Sequence, residues 1–257
     1  MRRVLAGALI SGLAFGFVGG ELELGVWSQD PKGYVQYPAD EGTPLSVDDD
    51  LKLGDETRFT GKLKLELPAF FPNLYLGYTR MEFSGSNFVQ NVRFGDYVFN
   101  ADINTNVKAD QYDVGFYYHV PVIKSSLLDP EVGLVVKVVD FETTVSGKGY
   151  PVNNPAVSGS FSETVSKTVP LPLIYLHLGV YPLPLVGVVG EFKGLKVSDD
   201  YFYGYKVGLR LLPVSVGVGR FFAEAGYRYQ RLRLKDVGNT NADVRVGGFY
   251  GSVGLSF

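Results

Sequence analysis

The chain contains no cysteine. No disulfide framework braces it, and no thiolate is there to hold a metal ion. Tryptophan occurs once, methionine twice and histidine twice, so imidazole chemistry can come from two positions alone. Basic residues do not exceed acidic ones, at 24 Lys and Arg to 27 Asp and Glu. That balance argues against nucleic acid as a partner, because phosphate binding needs a basic surface. After residue 20 no stretch approaches the 18 or so consecutive apolar residues of a membrane-spanning helix. What is plentiful is Tyr (17), Phe (18) and Gly (32 of 257 residues). This composition fits neither an ordinary soluble domain nor a helical membrane protein.

The first twenty residues read as a secretory leader. Arg2 and Arg3 are followed by an apolar stretch from Val4 to Val18, and then by Gly19 and Gly20. The apolar run is short for a membrane anchor, so cleavage after Gly20 and export are expected. Residues 21–257 show no linker and no fixed-period repeat, and they read as one domain.

The mature sequence has a period of two. "ELELGVW" (21–27) sets Leu22, Leu24 and Val26 on one face, and "RFTGKLKLEL" (58–67) opposes Phe59, Leu63 and Leu65 to Lys62, Lys64 and Glu66. "QYDVGFYYHV" (111–120) aligns Tyr112, Val114, Phe116 and Tyr118, and "EVGLVVKVV" (131–139) opposes its valines to Lys137. With segments at 73–79, 170–180, 185–197, 201–212, 221–234 and the final "VGGFYGSVGLSF", ten strands are expected. Eight is the alternative, because 185–197 and 201–212 are separated by almost no loop.

The connections alternate. Those at 68–73, 121–130, 181–184 and 213–219 are tight, whereas 34–56, 84–107 and 146–162 are long and polar and read as loops. Short turns on one rim and long loops on the other are the habit of transmembrane barrels. A soluble β-sandwich or lipocalin-like barrel also alternates. Mid-strand charges of both signs would face its core, however, which it would not accept unpaired. The expected fold is therefore all-β, an antiparallel up-and-down transmembrane barrel with aromatic girdles at its strand ends.

The last residue is Phe257, and Phe249, Gly251, Val253, Leu255 and Phe257 share one parity. This ending resembles the C-terminal assembly signal of Gram-negative outer-membrane barrels, which the barrel assembly machinery reads. Together with "GVWSQDPKG", "FPNLYLGYTRMEFSG", "YDVGFYYHV", "VPLPLIYLHLGVYPLP" and "EAGYR", it resembles a family of small, functionally uncharacterised outer-membrane β-barrel proteins. The resemblance implies a location in the cell outer membrane and a fold, and it brings no activity and no cofactor.

Enzymes also exist on small barrels. Omptin-like proteases pair acidic residues with a His at the extracellular rim, and lipid A deacylases use Ser, His and an acid facing the outer leaflet. Here His119 precedes Pro121 and His177 precedes Pro182, toward the short-turn rim, which is the wrong end for either chemistry. The chain is therefore not expected to be an enzyme, and the His pair, a strand apart, is a weak metal signal. Asp48, Asp49 and Asp50 lie in an acidic stretch (38–56) that lacks calcium-loop spacing; a solvated loop is expected there, with cation bridges to lipopolysaccharide phosphates as its functional version.

Strand parity sends Glu23, Lys62, Lys64, Glu66, Asp113, Lys137, Glu191, Lys193, Lys206, Arg210, Glu224 and Arg228 inward. That is seven basic and five acidic groups. A pore tuned for one ion sign would show one sign dominating. Mixed signs in a narrow barrel predict a cross-linked, side-chain-filled lumen. The expected role is structural or loop-mediated, in a monomer among outer-membrane lipid and lipopolysaccharide. A narrow ion or solute channel is the alternative.

Overall fold

The computed structural model describes residues 17–257 except 69, 122, 126 and 218, and gives the backbone alone at 213, 214 and 216. The expected leader, residues 1–20, lies outside the described residues up to position 16. Thirteen strands and no helix lie among the described residues: β1 (Gly19–Gln36), β2 (Leu45–Ser46), β3 (Glu56–Glu66), β4 (Asn73–Thr79), β5 (Glu82–Phe88), β6 (Val92–Phe94), β7 (Tyr97–His119), β8 (Leu128–Pro151), β9 (Gly159–Leu183), β10 (Val186–Val197), β11 (Asp200–Val216), β12 (Gly219–Leu234) and β13 (Asn241–Ser256).

Every pairing is antiparallel, and apart from the short β2, β5 and β6 each strand pairs with the next one along the chain. β4, β5 and β6 share one partner, β7, and together act as one interrupted strand. β13 turns back to pair with β1, from Glu21 opposite Ser256 to Gln36 opposite Asn241. The sheet is thus a ring of ten members, and a sheet closed on itself is a barrel. Closure leaves neither β1 nor β13 with an unpaired edge.

Alternating side chains give the ring two unlike faces. Along β7, Tyr112, Val114, Phe116 and Tyr118 are exposed while Asp113, Gly115 and Tyr117 are buried. Leu22, Leu24 and Val26 on β1, Leu134 and Val136 on β8, Ile174 and Leu176 on β9, and Val207 and Leu209 on β11 continue the outer apolar band. Phe249 and Val253 stand outward beside the seam, 75% and 64% exposed. An apolar outside around a charged inside inverts the arrangement of a soluble protein, and lipid is the solvent that suits it.

Two of the expected loops are corrected. Segments 84–107 and 146–162 are mostly strand: β8 and β9 run 24 and 25 residues, well beyond the 9–11 that cross a membrane. Their outer halves, such as "ETTVSGKGYP" and "SFSETVSKTV", are mostly polar, with Val145 and Val165 turned into a buried core, and Thr and Val keep them extended. The third expected loop, 34–56, folds inward. Leu45, Val47, Leu51 and Leu53 join Trp27, Met81, Phe83, Phe99, Ile103, Val145, Val165 and Val246 in an apolar core inside the long-loop half of the barrel. A cavity of about 200 Å³ remains within that half.

Candidate functional site

The middle of the lumen is a layer of paired charges. On one side Lys62 Nζ lies 2.6 Å from Glu23 and 3.2 Å from Glu21. Lys206 contacts Glu23 at 2.6 Å and Glu224 at 2.8 Å. Arg210 spans Glu21 (2.6 Å) and Glu224 (2.7 Å). Ser252 and Tyr250 donate hydroxyl hydrogen bonds to Glu23 and Glu224, each at 2.8 Å. Gly208 makes the second of these possible, because a β-carbon there would collide with the Tyr250 hydroxyl. Across the lumen, Asp113 accepts from Lys137 (2.7 Å) and Lys193 (2.6 Å), and Lys193 also reaches Glu191 at 3.1 Å. The ammonium of Lys193 sits 4.3 Å above the Tyr75 ring. Each charge is thereby compensated, which burial in a narrow barrel requires. Around Glu23, Lys62, Asp113 and Lys206 about 50 Å³ of space is left.

Three of the twelve inward candidates sit elsewhere. Arg228 makes no ion pair among the described residues; it donates to Thr79 Oγ1 at 3.0 Å and stacks 4.4 Å over the ring of Trp27, which is 0% exposed. Glu66 lies at the short-turn mouth, 3.2 Å from His119 Nε2. Lys64 leans the same way and pairs with Glu131 at 2.7 Å. Glu21, Glu131, Asp129 and the two histidines complete the inward set. Glu131 shares the parity of Lys137, and Glu21 that of Glu23, so the same alternation identifies both.

Above the charged layer the polarity falls in steps. Lys137 donates to Gln111 at 2.9 Å, and the amides of Gln111 and Gln230 both point at Met81 Sδ, at 2.9 and 3.0 Å. Beyond Met81 the apolar core begins. The acidic candidates are occupied locally. Ser46 donates through its hydroxyl to Asp48 at 2.8 Å and through its N–H to Asp50 at 2.7 Å. The Ser46 hydroxyl holds the Asp48 carboxyl below its usual range. Asp49 is exposed, 3.9 Å from Lys52. The Asp48 and Asp50 carboxylates act as turn formers.

Phe249, Gly251, Val253 and Leu255 lie on the outward parity of β13, while Tyr250 and Ser252 face in. The backbone of Phe257 pairs with Gly20 through bonds of 2.8 and 2.9 Å in the two directions.

No family model matches the chain, and no curated protein matches it in sequence. Solved structures do resemble it. The outer-membrane protease OmpT from Escherichia coli overlays with a TM-score of 0.53 at 11% identity, over 93% of this chain and 96% of that one. Looser overlays occur with the translocator domain of the autotransporter NalP from Neisseria meningitidis (TM-score 0.44, 14% identity, 100% and 95% covered) and with Ail of Yersinia pestis (0.34, 11%, 93% and 99%). At that level of overlay a likeness carries no weight; the first one bears on the fold alone. Taken with the closed ring, its apolar outer band and its charged interior, the first overlay shows a fold of the kind seen in outer-membrane β-barrels.

Proposed function

We propose that the chain is a monomeric, ten-stranded plugged barrel with a structural or loop-presenting role in the outer membrane. One observation carries the reading: the mid-lumen cross-section is occupied by mutually paired charges that leave about 50 Å³. Pairs with every partner in place resist displacement, since freeing one charge strands another in a confined site. The inward-folded segment around Leu45–Leu53 adds a second, apolar closure above it. The β8–β9 hairpin, polar on its outer face, is the surface offered to partners and to lipopolysaccharide. The outward residues of β13, ending at Phe257, are read as the signal for the barrel assembly machinery. No cofactor or nucleic acid enters this reading. It assigns no hydrolysis either, because both histidines stand at the short-turn mouth.

Planar-bilayer recording tests the proposal against a narrow channel. The parent protein is expected to give no stable openings. Stable unitary openings whose conductance changes in Lys62→Ala or Arg210→Ala would establish the channel and overturn the plugged reading.

A further inference from the structure

The short-turn mouth holds a cluster that the mid-lumen network does not consume. His119 closes β7, and Asp129 and Glu131 open β8 two residues apart, on one face. In the register Glu131 stands directly opposite His119 on one side and His177 on the other. His119 Nδ1 lies 3.1 Å from Asp129 Oδ1 and 3.8 Å from Glu131 Oε1. One ligand atom from each of these three residues fits within a mutual spacing of 4.8 Å. Donors bound to one tetrahedral ion at ordinary zinc distances stand roughly 3.4 Å apart.

We propose that this mouth binds a divalent transition-metal ion of the zinc type through His119 Nδ1, Asp129 and Glu131. The supporting groups are those a metal site needs. The other ring nitrogen of His119 faces Glu66 Oε1 at 3.2 Å, the carboxylate–imidazole arrangement that orients a ligating histidine. Lys64 (2.7 Å) and Tyr175 (2.8 Å) both bind Glu131 Oε2, which fixes that carboxylate and leaves Oε1 turned to His119. Lys124 reaches Asp129 at 3.6 Å from a half-exposed turn and is free to swing away.

A further observation comes from the histidine on the other side of Glu131. His177 is 7% exposed, and its Nδ1 has no hydrogen-bond partner among the described residues. It lines the same cavity, about 830 Å³ and open at the short-turn rim, as the three proposed ligands. A buried ring nitrogen without a partner is costly, so the mouth carries polar capacity beside Glu131 that the protein's own groups leave unused. Three protein ligands leave a coordination position facing that cavity. The mixed nitrogen and oxygen donors favour zinc-like ions over calcium or magnesium, which take oxygen.

Zinc chloride titrated into the folded barrel in detergent micelles, followed by calorimetry, tests the proposal. One saturable site is expected that excess Mg²⁺ does not displace. His119→Ala and Asp129→Asn are each expected to weaken it at least 100-fold, and Glu66→Gln about 10-fold or more. Replacing Asp48, Asp49 and Asp50 together by Asn is expected to leave it unchanged. Shielded Trp27 emission verifies the fold of each variant. Absence of saturable uptake, or uptake unaltered in both His119→Ala and Asp129→Asn, overturns the proposal. Should His119→Ala fail to fold, Co²⁺ added to the parent is the second readout. An intense visible band that Zn²⁺ abolishes is expected, and no such band overturns the site.

Discussion

Arg210 lies within 4 Å of three carboxylates, those of Glu21, Glu23 and Glu224, and also covers the Phe222 ring at 4.1 Å. Its replacement by Met would keep the packing and leave Glu21 and Glu224 with one lysine each, Lys62 and Lys206, in place of two cations. The expected cost is about 3–5 kcal/mol of stability, read from urea unfolding in lipid vesicles. Arg228 gives a contrasting case, because its partners are a hydroxyl and an aromatic face. Arg228→Ala is expected to cost about 0.5–2 kcal/mol. It should also shift the emission of Trp27, the single tryptophan, while an equal shift in Arg210→Met would contradict this assignment. Much at this scale was legible in the sequence. Parity alone sends Lys62, Asp113 and Lys193 inward, because a lipid-facing charge is intolerable. Parity gives direction and not depth, so it could not separate Glu66, at the mouth, from Glu23, in the mid-lumen layer.

At the scale of the element, the strands that cross lipid were readable and their continuations were not. Within the apolar band each strand alternates sharply, as Tyr112–Tyr118 does. Above the band the outer face meets water while the inner face mixes polar residues with a few buried apolar ones such as Ile103, Val145 and Val165, so the alternation fades and composition alone reads as loop. The segment 38–56 misleads in another way. Its carboxylates dominate the sequence, yet Leu45, Val47, Leu51 and Leu53 share one parity between them and are buried in the barrel. Leu51 is 1% exposed. Leu51→Ala is therefore expected to cost about 2–5 kcal/mol by its lost packing. Added protease should then cut within 39–54 in the variant while the crossing strands stay intact. Equal protease resistance in the parent and the variant would show that this segment is not held by its apolar contacts.

The whole molecule depends on one seam. β1 and β13 pair over fourteen registered positions, and Phe257 reaches back to Gly20. Deleting residues 247–257 would expose two strand edges within lipid, so no heat-modifiable folded band is expected on cold electrophoresis. Phe257→Ala separates targeting from architecture: refolding in detergent should persist while the amount assembled in cells falls. Unchanged assembly would remove Phe257 from the signal. The ring was foreseeable because an open sheet cannot sit in lipid. Its filling was foreseeable in kind, from the mixed charges, though the apolar upper core was hidden in what read as a loop.

The seam also sets an order of events. Ser252 and Glu23, bonded across it, are separated by 229 residues of chain. Contacts this distant in sequence are made slowly, because a long span of chain must be brought together before they repay it. Until the final strand arrives, the growing sheet carries a live edge at Glu21–Gln36 and another at its advancing end. The half-built molecule is thus most prone to aggregation just before it is finished. Its survival is governed by how fast the last strand docks, a matter of time more than of final stability.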